Sequence, residues 1–257
     1  MNAWKRVEPF KATITLTIAL LAAFVFLSSA ELFIPTEKIK QLAFNQWISP
    51  QNIFWFWMVH AGFPHLVANA LGLLIFGALV EKQLKSRHLL QLFFIGAIGA
   101  PLLFTFFFPT TQLVGASGGI AGLIASALVL EPKKSVLALI ALLLLIGGSV
   151  AVLATQLDSQ QQNLQNKAQQ TQIDLNKAIQ EKNVEQQLQL EKQFRELQTK
   201  HEQIRETRQF QETIPIENRV HGIGAMLGIV YLVLAVPENV RKQVKKISRE
   251  AREFFRK

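Results

Sequence analysis

A serine framed by glycines is the residue of this chain whose type and setting most suggest chemistry. Ser117 lies within the sequence GASGG at residues 115–119, in the middle of an apolar run. A serine hydroxyl is a poor nucleophile until a base within hydrogen-bonding reach accepts its proton. His221, in another apolar run, is the best base available, because a neutral imidazole titrates near working pH. The two residues predict nucleophilic catalysis of acyl transfer.

Such a reaction also needs hydrogen-bond donors directed at the oxyanion of its tetrahedral intermediate. Ser117 is predicted to begin a helix, so its own N–H and that of Ala116 would point there, with the helix dipole adding to them. Glycine at position 115 lets backbone and substrate approach closely. His65 and Asn69 are spaced i, i+4, so they share one helix face and can both donate toward one point.

The composition indicates that these residues lie in a membrane. Half of the chain is hydrophobic and its formal net charge is +9. The surplus of positive charge sits at the two ends and in short loops, which favours a lipid bilayer rather than a nucleic acid as the partner. There are no cysteines, so disulfides and thiolate chemistry are excluded.

Six apolar runs follow one another along the chain. About 20 residues cross a hydrocarbon core of ~30 Å at 1.5 Å per residue. The runs cover residues 12–30, 61–80, two spans within 88–130 separated by a turn at 109–112, then 135–155 and 220–236. We therefore expect an all-α membrane protein, a bundle of six transmembrane helices. Its predicted parts are an N-terminal segment 1–11, helices one to five at 12–155, an insert at 156–215, helix six at 216–237 and a basic tail at 238–257.

The distribution of basic residues predicts the orientation, because cytoplasmic loops favour Lys and Arg. Four segments are rich in them, and alternating spans place all four on one side: Lys5, Arg6 and Lys11; Lys82, Lys85 and Arg87; Lys133 and Lys134; and eight residues between Arg241 and Lys257. We expect cytoplasmic N- and C-termini in a bacterial inner membrane. In an alternative interpretation residues 1–30 are a cleaved signal peptide, which would leave five spans and break this agreement.

The insert at residues 156–215 is rich in Gln, Glu and Lys, and from 156 to 213 it contains neither Gly nor Pro. Apolar residues recur at roughly helical spacing among strong helix formers. Because the chain leaves and re-enters the membrane on the outer side, the insert must turn back, and a helical hairpin turning near residues 182–183 would fit. Two interpretations of the insert stay open: a coiled coil for dimerisation or substrate capture, and a solvated spacer.

The candidate catalytic groups share one depth in the predicted membrane. His65, Ser117 and His221 lie 14–16 residues before the inner ends of their spans. At 1.5 Å per residue they sit roughly 21–24 Å above that boundary, some 6–9 Å below the outer surface of a ~30 Å core. Polar side chains inside a span are costly unless they face a cavity or one another, so the shared depth predicts a common site.

Each of these residues also has a structural explanation when taken singly. Small residues at 115–119, and Gly224 with Gly228, are typical of close helix packing. His65 and His221 could be hydrogen-bonded core histidines, and Asn69 could bond a neighbouring helix. His60, at the membrane entrance, could brace a loop. A channel or transporter would instead spread polar residues over both leaflets.

Taken together, the residues resemble the rhomboid family of intramembrane serine proteases. The family carries a His-x4-His-x3-Asn motif on its second span, Gly-x-Ser-Gly at the start of its fourth and His-x-x-Gly-x-x-x-Gly on its sixth. These are matched in order by His60, His65 and Asn69, by residues 115–118, and by His221, Gly224 and Gly228. The resemblance covers roughly residues 10–155 and 216–240 and omits the insert.

The resemblance implies a rhomboid-like six-helix fold and a Ser117–His221 dyad without a third carboxylate, metal or cofactor. It implies an oxyanion site built from His65, Asn69 and the N–H of Ser117. Gly224, with Gly118 and Gly228, would let the sixth helix pack against the fourth. The implied substrates are transmembrane proteins, cut near the outer membrane face after local unwinding of the substrate helix.

Two positions depart from the family pattern. Many members carry an aromatic residue four positions after the serine, packed on the catalytic histidine, and here that residue is Ala121. Many also carry a Trp-Arg pair in the first loop, whereas Trp47 is followed here by Ile48. The alternative function is therefore a catalytically inactive relative that binds transmembrane segments.

Overall fold

The computed structural model describes residues 10–28, 34, 36–60, 62–213 and 218–254, and helices dominate these segments. The chain forms two compact units. One unit comprises residues 1–146 and 216–257, and the other comprises residues 147–215. The division falls nine residues before the start of the predicted insert at 156, in the apolar part of a continuous helix.

The first unit is built mainly from apolar helices. Its helices are α1 (Lys11–Ser28), α2 (Thr36–Leu42), α3 (Phe63–Gly72), α4 (Ala78–Phe94), α5 (Ala100–Phe107), α6 (Ser117–Leu130), the start of α7 (Pro132–Gln180), α9 (Asn218–Ala235) and α10 (Pro237–Phe254). The connection between α2 and α3 contains two short 3-10 helices, Pro50–Phe54 and Phe56–Met58. This all-helical bundle confirms the predicted fold class.

Three helical segments of the described chain are long and apolar enough to cross a membrane: α1, the run Phe63–Phe107 and α9. The run contains α3, α4 and α5, joined through π-helical turns at Leu73–Gly77 and Ile95–Gly99. It is divided at Lys85, whose φ of 69° and ψ of 163° are not helical. The predicted second and third spans lie on either side of that break. α6 is a shorter apolar helix of 14 residues, and the count of six spans stays a prediction.

α6 lies at the centre of the first unit and is in contact with its neighbours through backbone. A Cβ on Gly224 of α9 would collide with the carbonyl oxygen of Gly118, and one on Gly228 would lie 2.5 Å from that of Gly122. On another side, a Cβ on Gly96 would lie 2.6 Å from the oxygen of Gly118. Only glycine permits such distances, so these residues set how closely the helices pack.

A buried carboxylate fixes the start of α1. Glu81 of α4 is 2% exposed. It accepts the backbone N–H groups of Ala12 and Thr13, both at 3.0 Å, and the hydroxyl groups of Thr13 at 2.7 Å and Ser86 at 2.6 Å. The first N–H groups of a helix have no acceptor within it, and a negative charge is favourable at that end. One side chain therefore joins α1 to the turn at Lys85.

The second unit contains two helices that meet at a tight turn. The first helix ends at Gln180, and α8 (Val184–Thr213) begins after three residues that include Lys182 with φ 57°. The N–H of Asn183 and the side-chain amide of Gln187 both donate to the carbonyl oxygen of Ala178. The turn lies where the sequence placed it, whereas oligomerisation through a coiled coil stays a prediction.

Replacing Glu81 with Ala is expected to destabilise the protein by about 2–3 kcal/mol, because three buried donors and the half-buried hydroxyl of Ser86 lose a charged acceptor. This corresponds to a fall of roughly 5 °C or more in Tm. Thermal unfolding in detergent measures the effect, with Glu196→Ala as the control, because Glu196 is exposed on α8. Equal Tm values for the two variants would show that the carboxylate does not hold α1.

Candidate active site

The segment before α6 takes a conformation that only glycine adopts readily. Gly115 has φ +100°, and its N–H donates to the carbonyl oxygen of Phe56 at 2.9 Å. A Cβ at this position would lie 2.8–2.9 Å from the ring atoms Cε1 and Nε2 of His65. Gly115 thus brings the imidazole of α3 against the backbone that leads into Ser117.

Ser117 is the first residue of α6, and its hydroxyl meets the imidazole of α9. The distance between Ser117 Oγ and His221 Nε2 is 2.8 Å, although the residues are 104 positions apart. Both side chains are half-buried. An unprotonated Nε2 accepts the serine O–H at this distance, which is the geometry that a general base needs. The structure therefore brings the predicted nucleophile and the predicted base together.

Helix packing explains how these two residues meet. Gly118 faces Gly224 and Gly122 faces Gly228. Each pair is separated by 106 positions, so the two helices run parallel in one register. Ser117 lies one residue before Gly118, and His221 lies three residues before Gly224. Both residues are therefore at the same end of the helix contact. A larger side chain at any of the four glycines would separate the helices and with them the hydroxyl and the imidazole.

The remaining predicted site residues lie around the start of α6. Ala116 is fully buried and precedes the first helical residue, with φ −82° and ψ 0°. The N–H groups at a helix start have no acceptor inside the helix, so those of Ala116 and Ser117 are suited to an anion. Asn69 is 4% exposed, and its amide nitrogen donates to the carbonyl oxygen of His65 at 2.8 Å. That nitrogen carries a second hydrogen for another acceptor.

His60 lies behind His65 and is fully buried. Its Nδ1 is 3.1 Å from the carbonyl oxygen of Met58, and its ring lies edge-on to that of His65 at 5.0 Å. Burial, with a smaller contribution from His65, lowers the pKa of His60 to about 3. The ring is therefore neutral at ordinary pH, and it supports the position of His65 as an uncharged group.

The first loop is held by asparagines rather than by a Trp-Arg pair. The side-chain oxygen of Asn45 accepts the N–H groups of Trp47 and Ile48. The side-chain nitrogen of Asn52 donates to the carbonyl oxygens of Gln41 and Ala43. Phe44 forms an antiparallel bridge with Leu113, two residues before Gly115. The loop is thus joined to the segment that carries the serine.

Sequence reasoning missed two contacts that hold α9 at its ends. The guanidinium carbon of Arg219 lies 4.3 Å from the ring centroid of Phe108 and 5.1 Å from that of Phe104. Twelve residues later, the hydroxyl of Tyr231 lies 2.7 Å from Nδ1 of His88 and donates to Gln91 at 2.6 Å.

Both contacts reach the third predicted span, at opposite ends of α9. One signal for the second contact was in the sequence, since Tyr231 is the single tyrosine of the chain and lies in an apolar run. Among the described residues no group of three or more His, Asp or Glu side chains is placed to hold a metal ion.

Comparisons with known proteins identify a related family for part of the chain. A family model described as the Rhomboid domain matches residues 46–163. Rhomboid-like protein 16, chloroplastic, of Arabidopsis thaliana is 40% identical over 45 residues, which is 18% of this chain and 14% of that protein. RHOMBOID-like protein 6, mitochondrial, of the same organism is 34% identical over 70 residues, or 27% of this chain and 23% of that protein. No solved structure matches.

Gly224→Ala is expected to separate α9 from α6, because the added methyl group meets the carbonyl oxygen of Gly118. Such overpacking costs about 1–3 kcal/mol. Thermal unfolding and the reactivity of Ser117 toward a fluorophosphonate are the measurements. The control is Gly222→Ala on the same helix, where nothing lies within 4 Å of an added Cβ. Equal losses of Tm and of fluorophosphonate reactivity in the two variants would show that the backbone contact between Gly224 and Gly118 does not hold the two helices together.

Tyr231→Phe is expected to reduce stability by about 0.5–1.5 kcal/mol, because His88 and Gln91 lose their hydrogen-bond partner. The rate of fluorophosphonate labelling should also fall, since α9 loses a fixed point. The double variant Tyr231→Phe/Gln91→Leu tests the cause, because removing both partners should recover part of the stability. If the stability lost by the double variant equals the sum of the losses of the two single variants, Tyr231 and Gln91 do not form a direct hydrogen bond.

Proposed function

Since the chain carries a rhomboid domain and belongs to the rhomboid family, we propose that it is an intramembrane serine protease. Ser117 is the nucleophile and His221 the general base, and substrates are transmembrane proteins. The observation that supports this most strongly is the 2.8 Å separation between Ser117 Oγ and His221 Nε2. Residues far apart in sequence meet through side chains that a purely structural helix contact would not require.

The proposed reaction follows the acyl-enzyme route. The hydroxyl of Ser117 attacks the scissile carbonyl carbon as His221 accepts the hydroxyl proton. Negative charge develops on the carbonyl oxygen, where the N–H of Ser117, His65 and Asn69 donate hydrogen bonds. His221 then returns the proton to the leaving amine, and the peptide C–N bond breaks. A water molecule, activated by the same imidazole, releases the acyl group and restores the hydroxyl.

The surroundings of the dyad suit a preorganised oxyanion site. His65 is pressed against Gly115, and Asn69 is buried one helical turn further along α3. Donors fixed before the reaction cost no reorganisation when charge appears, which is why they stabilise the transition state. The start of α6 adds the positive end of a helix dipole at the same place.

The site is proposed to lie below the outer membrane face, within a cavity that admits water. Backbone that is not helical, such as that of Gly115, is tolerated at membrane depth only inside the protein or beside water. Substrates would be transmembrane helices that unwind locally near their outer ends, because a regular helix shields its carbonyl groups. The proposed orientation has both termini in the cytoplasm of a bacterial inner membrane.

The positioning of His221 has a physical explanation although Ala121 replaces the family's aromatic residue. The glycine contacts hold α9 close to α6, but backbone contacts between glycines carry little directional preference. Arg219 over Phe104 and Phe108, and Tyr231 on His88, fix the height and rotation of α9 at its two ends. Residues on the third predicted span thus supply the orientation that a ring at position 121 would have given.

The second candidate function is an inactive relative that binds transmembrane segments without cutting them. Ala121 is the residue that favours it, because the imidazole lacks the usual aromatic support. In that case the dyad would be retained in position but would not react. The hairpin at residues 156–215 would serve as an additional contact surface, such as one for a second copy of the chain.

An activity-based fluorophosphonate separates these two functions. We expect the purified parent protein to be labelled in detergent, and both Ser117→Ala and His221→Ala to be unlabelled, because nucleophile and base are each required. Ser126→Ala is the control and should be labelled as the parent is, since this buried serine lies on the same helix away from His221.

Labelling of Ser117→Ala would remove the proposed nucleophile. If the parent protein is not labelled, although thermal unfolding shows that it is folded and it still binds a transmembrane peptide, the binding function is established instead. Cleavage of a transmembrane model substrate by the parent, and not by Ser117→Ala, completes the assignment.

A further inference from the structure

The helix that follows α9 is basic on one side and apolar on the other. In α10 the apolar residues Val240, Val244 and Ile247 are spaced by four and three positions, which places them on one helix face. Opposite them lie the basic residues of the same helix: Arg241, Lys242, Lys245, Lys246, Arg249 and Arg252. This arrangement is typical of a helix at a membrane surface.

The contacts of α10 show how it lies relative to the bundle. Gly118 of α6 faces Gly224 of α9. Glu131 follows Gly118 by 13 residues, and Pro237 follows Gly224 by 13 residues. Glu131 and Pro237 therefore lie at about the same height along the bundle. Had α10 continued along the axis of α9, its residue Glu250 would lie roughly 20 Å beyond that level. Instead the Glu250 carboxylate is 2.8 Å from the ammonium of Lys133, two residues after Glu131. α10 therefore lies across the end of the bundle.

The protein leaves much of both faces of α10 uncovered. Val244 is 57% exposed and Ile247 is 43% exposed. Arg241, Lys242, Lys245 and Lys246 are exposed, and within the described segments none of them forms an ion pair. An apolar stripe and a row of exposed cations on one surface helix call for a partner that is both apolar and anionic.

We propose that α10 binds anionic phospholipids at the membrane surface where α9 ends. Its apolar residues would enter the boundary between headgroups and acyl chains, and its lysines and arginines would neutralise lipid phosphates. A bilayer is the occupant that the fold favours, since α10 begins two residues after the end of the apolar helix α9 and lies across the end of the bundle. This inference does not depend on proteolysis, so it stands or falls separately from the proposed function.

The absence of cysteine from the natural sequence permits a direct test. Val244→Cys and Lys245→Cys place an environment-sensitive fluorophore on the apolar face and on the basic face of α10, about 100° apart around the helix axis. Leu188→Cys, on exposed α8, is the control. Each labelled full-length protein is reconstituted into nanodiscs of phosphatidylcholine alone or with added phosphatidylglycerol.

With phosphatidylglycerol present, we expect the label at residue 244 to shift to the blue and to be quenched several-fold more by spin-labelled lipid. The labels at residues 245 and 188 should change little. High salt should weaken the effect of the anionic lipid, because it screens the headgroup charge. Equal quenching at residues 244 and 245, or no response at residue 244 to phosphatidylglycerol, would overturn the proposal.

A charge-matched pair of variants identifies the source of lipid selectivity. Replacing Arg241, Lys242, Lys245 and Lys246 with Gln should abolish the effect of phosphatidylglycerol on the residue-244 label. The control replaces four hairpin residues, Lys167, Lys177, Lys192 and Lys200, with Gln, and should preserve the effect. If both variants lose the effect of phosphatidylglycerol on the residue-244 label, overall charge rather than α10 selects the lipid. If both variants keep that effect, electrostatic recognition by these four residues is excluded.

Discussion

The close approach of α6 and α9 is the constraint on which the rest of this molecule depends. It exists because Gly118 and Gly122 present bare backbone to Gly224 and Gly228. Helices in a lipid environment gain no hydrophobic free energy by associating, so van der Waals contact at short distance must hold them together. The same contact fixes the register that brings Ser117 Oγ to 2.8 Å from His221 Nε2. Packing and the proposed chemistry therefore have one structural origin.

Two polar networks of the bundle have structural roles, whereas the proposed dyad is available for chemistry. Glu81 satisfies four donors at the start of α1, and Tyr231 joins His88 and Gln91 at the other end of α9 from the dyad. A buried carboxylate is costly without hydrogen-bond donors, which explains the four donors around Glu81. By contrast, Ser117 and His221 are half-buried and meet each other beside the open amides of a helix start.

For the two departures from the family pattern, we propose that other contacts of the fold take the place of the missing side chains. Without an aromatic residue at position 121, α9 is fixed by Arg219 over two phenylalanines and by the hydroxyl of Tyr231. Without a Trp-Arg pair, Asn45 and Asn52 bind the backbone of the first loop, and Phe44 pairs with Leu113. Different side chains thus restrain the same two elements, because each requirement concerns the position of backbone rather than the identity of one residue.

The sequence by itself determined the membrane character, the helical class and the candidate dyad, because apolar run length, glycine spacing and residue type are local properties. The turn predicted near residues 182–183 followed from the order of the spans, because a helical insert that leaves and re-enters the membrane on one side must reverse its direction. Only the tertiary structure decided that Gly115 presses on His65, that Glu81 caps α1, and that Glu250 reaches Lys133. Those contacts join residues far apart in sequence, and their existence depends on helix distances and rotations that no local pattern contains.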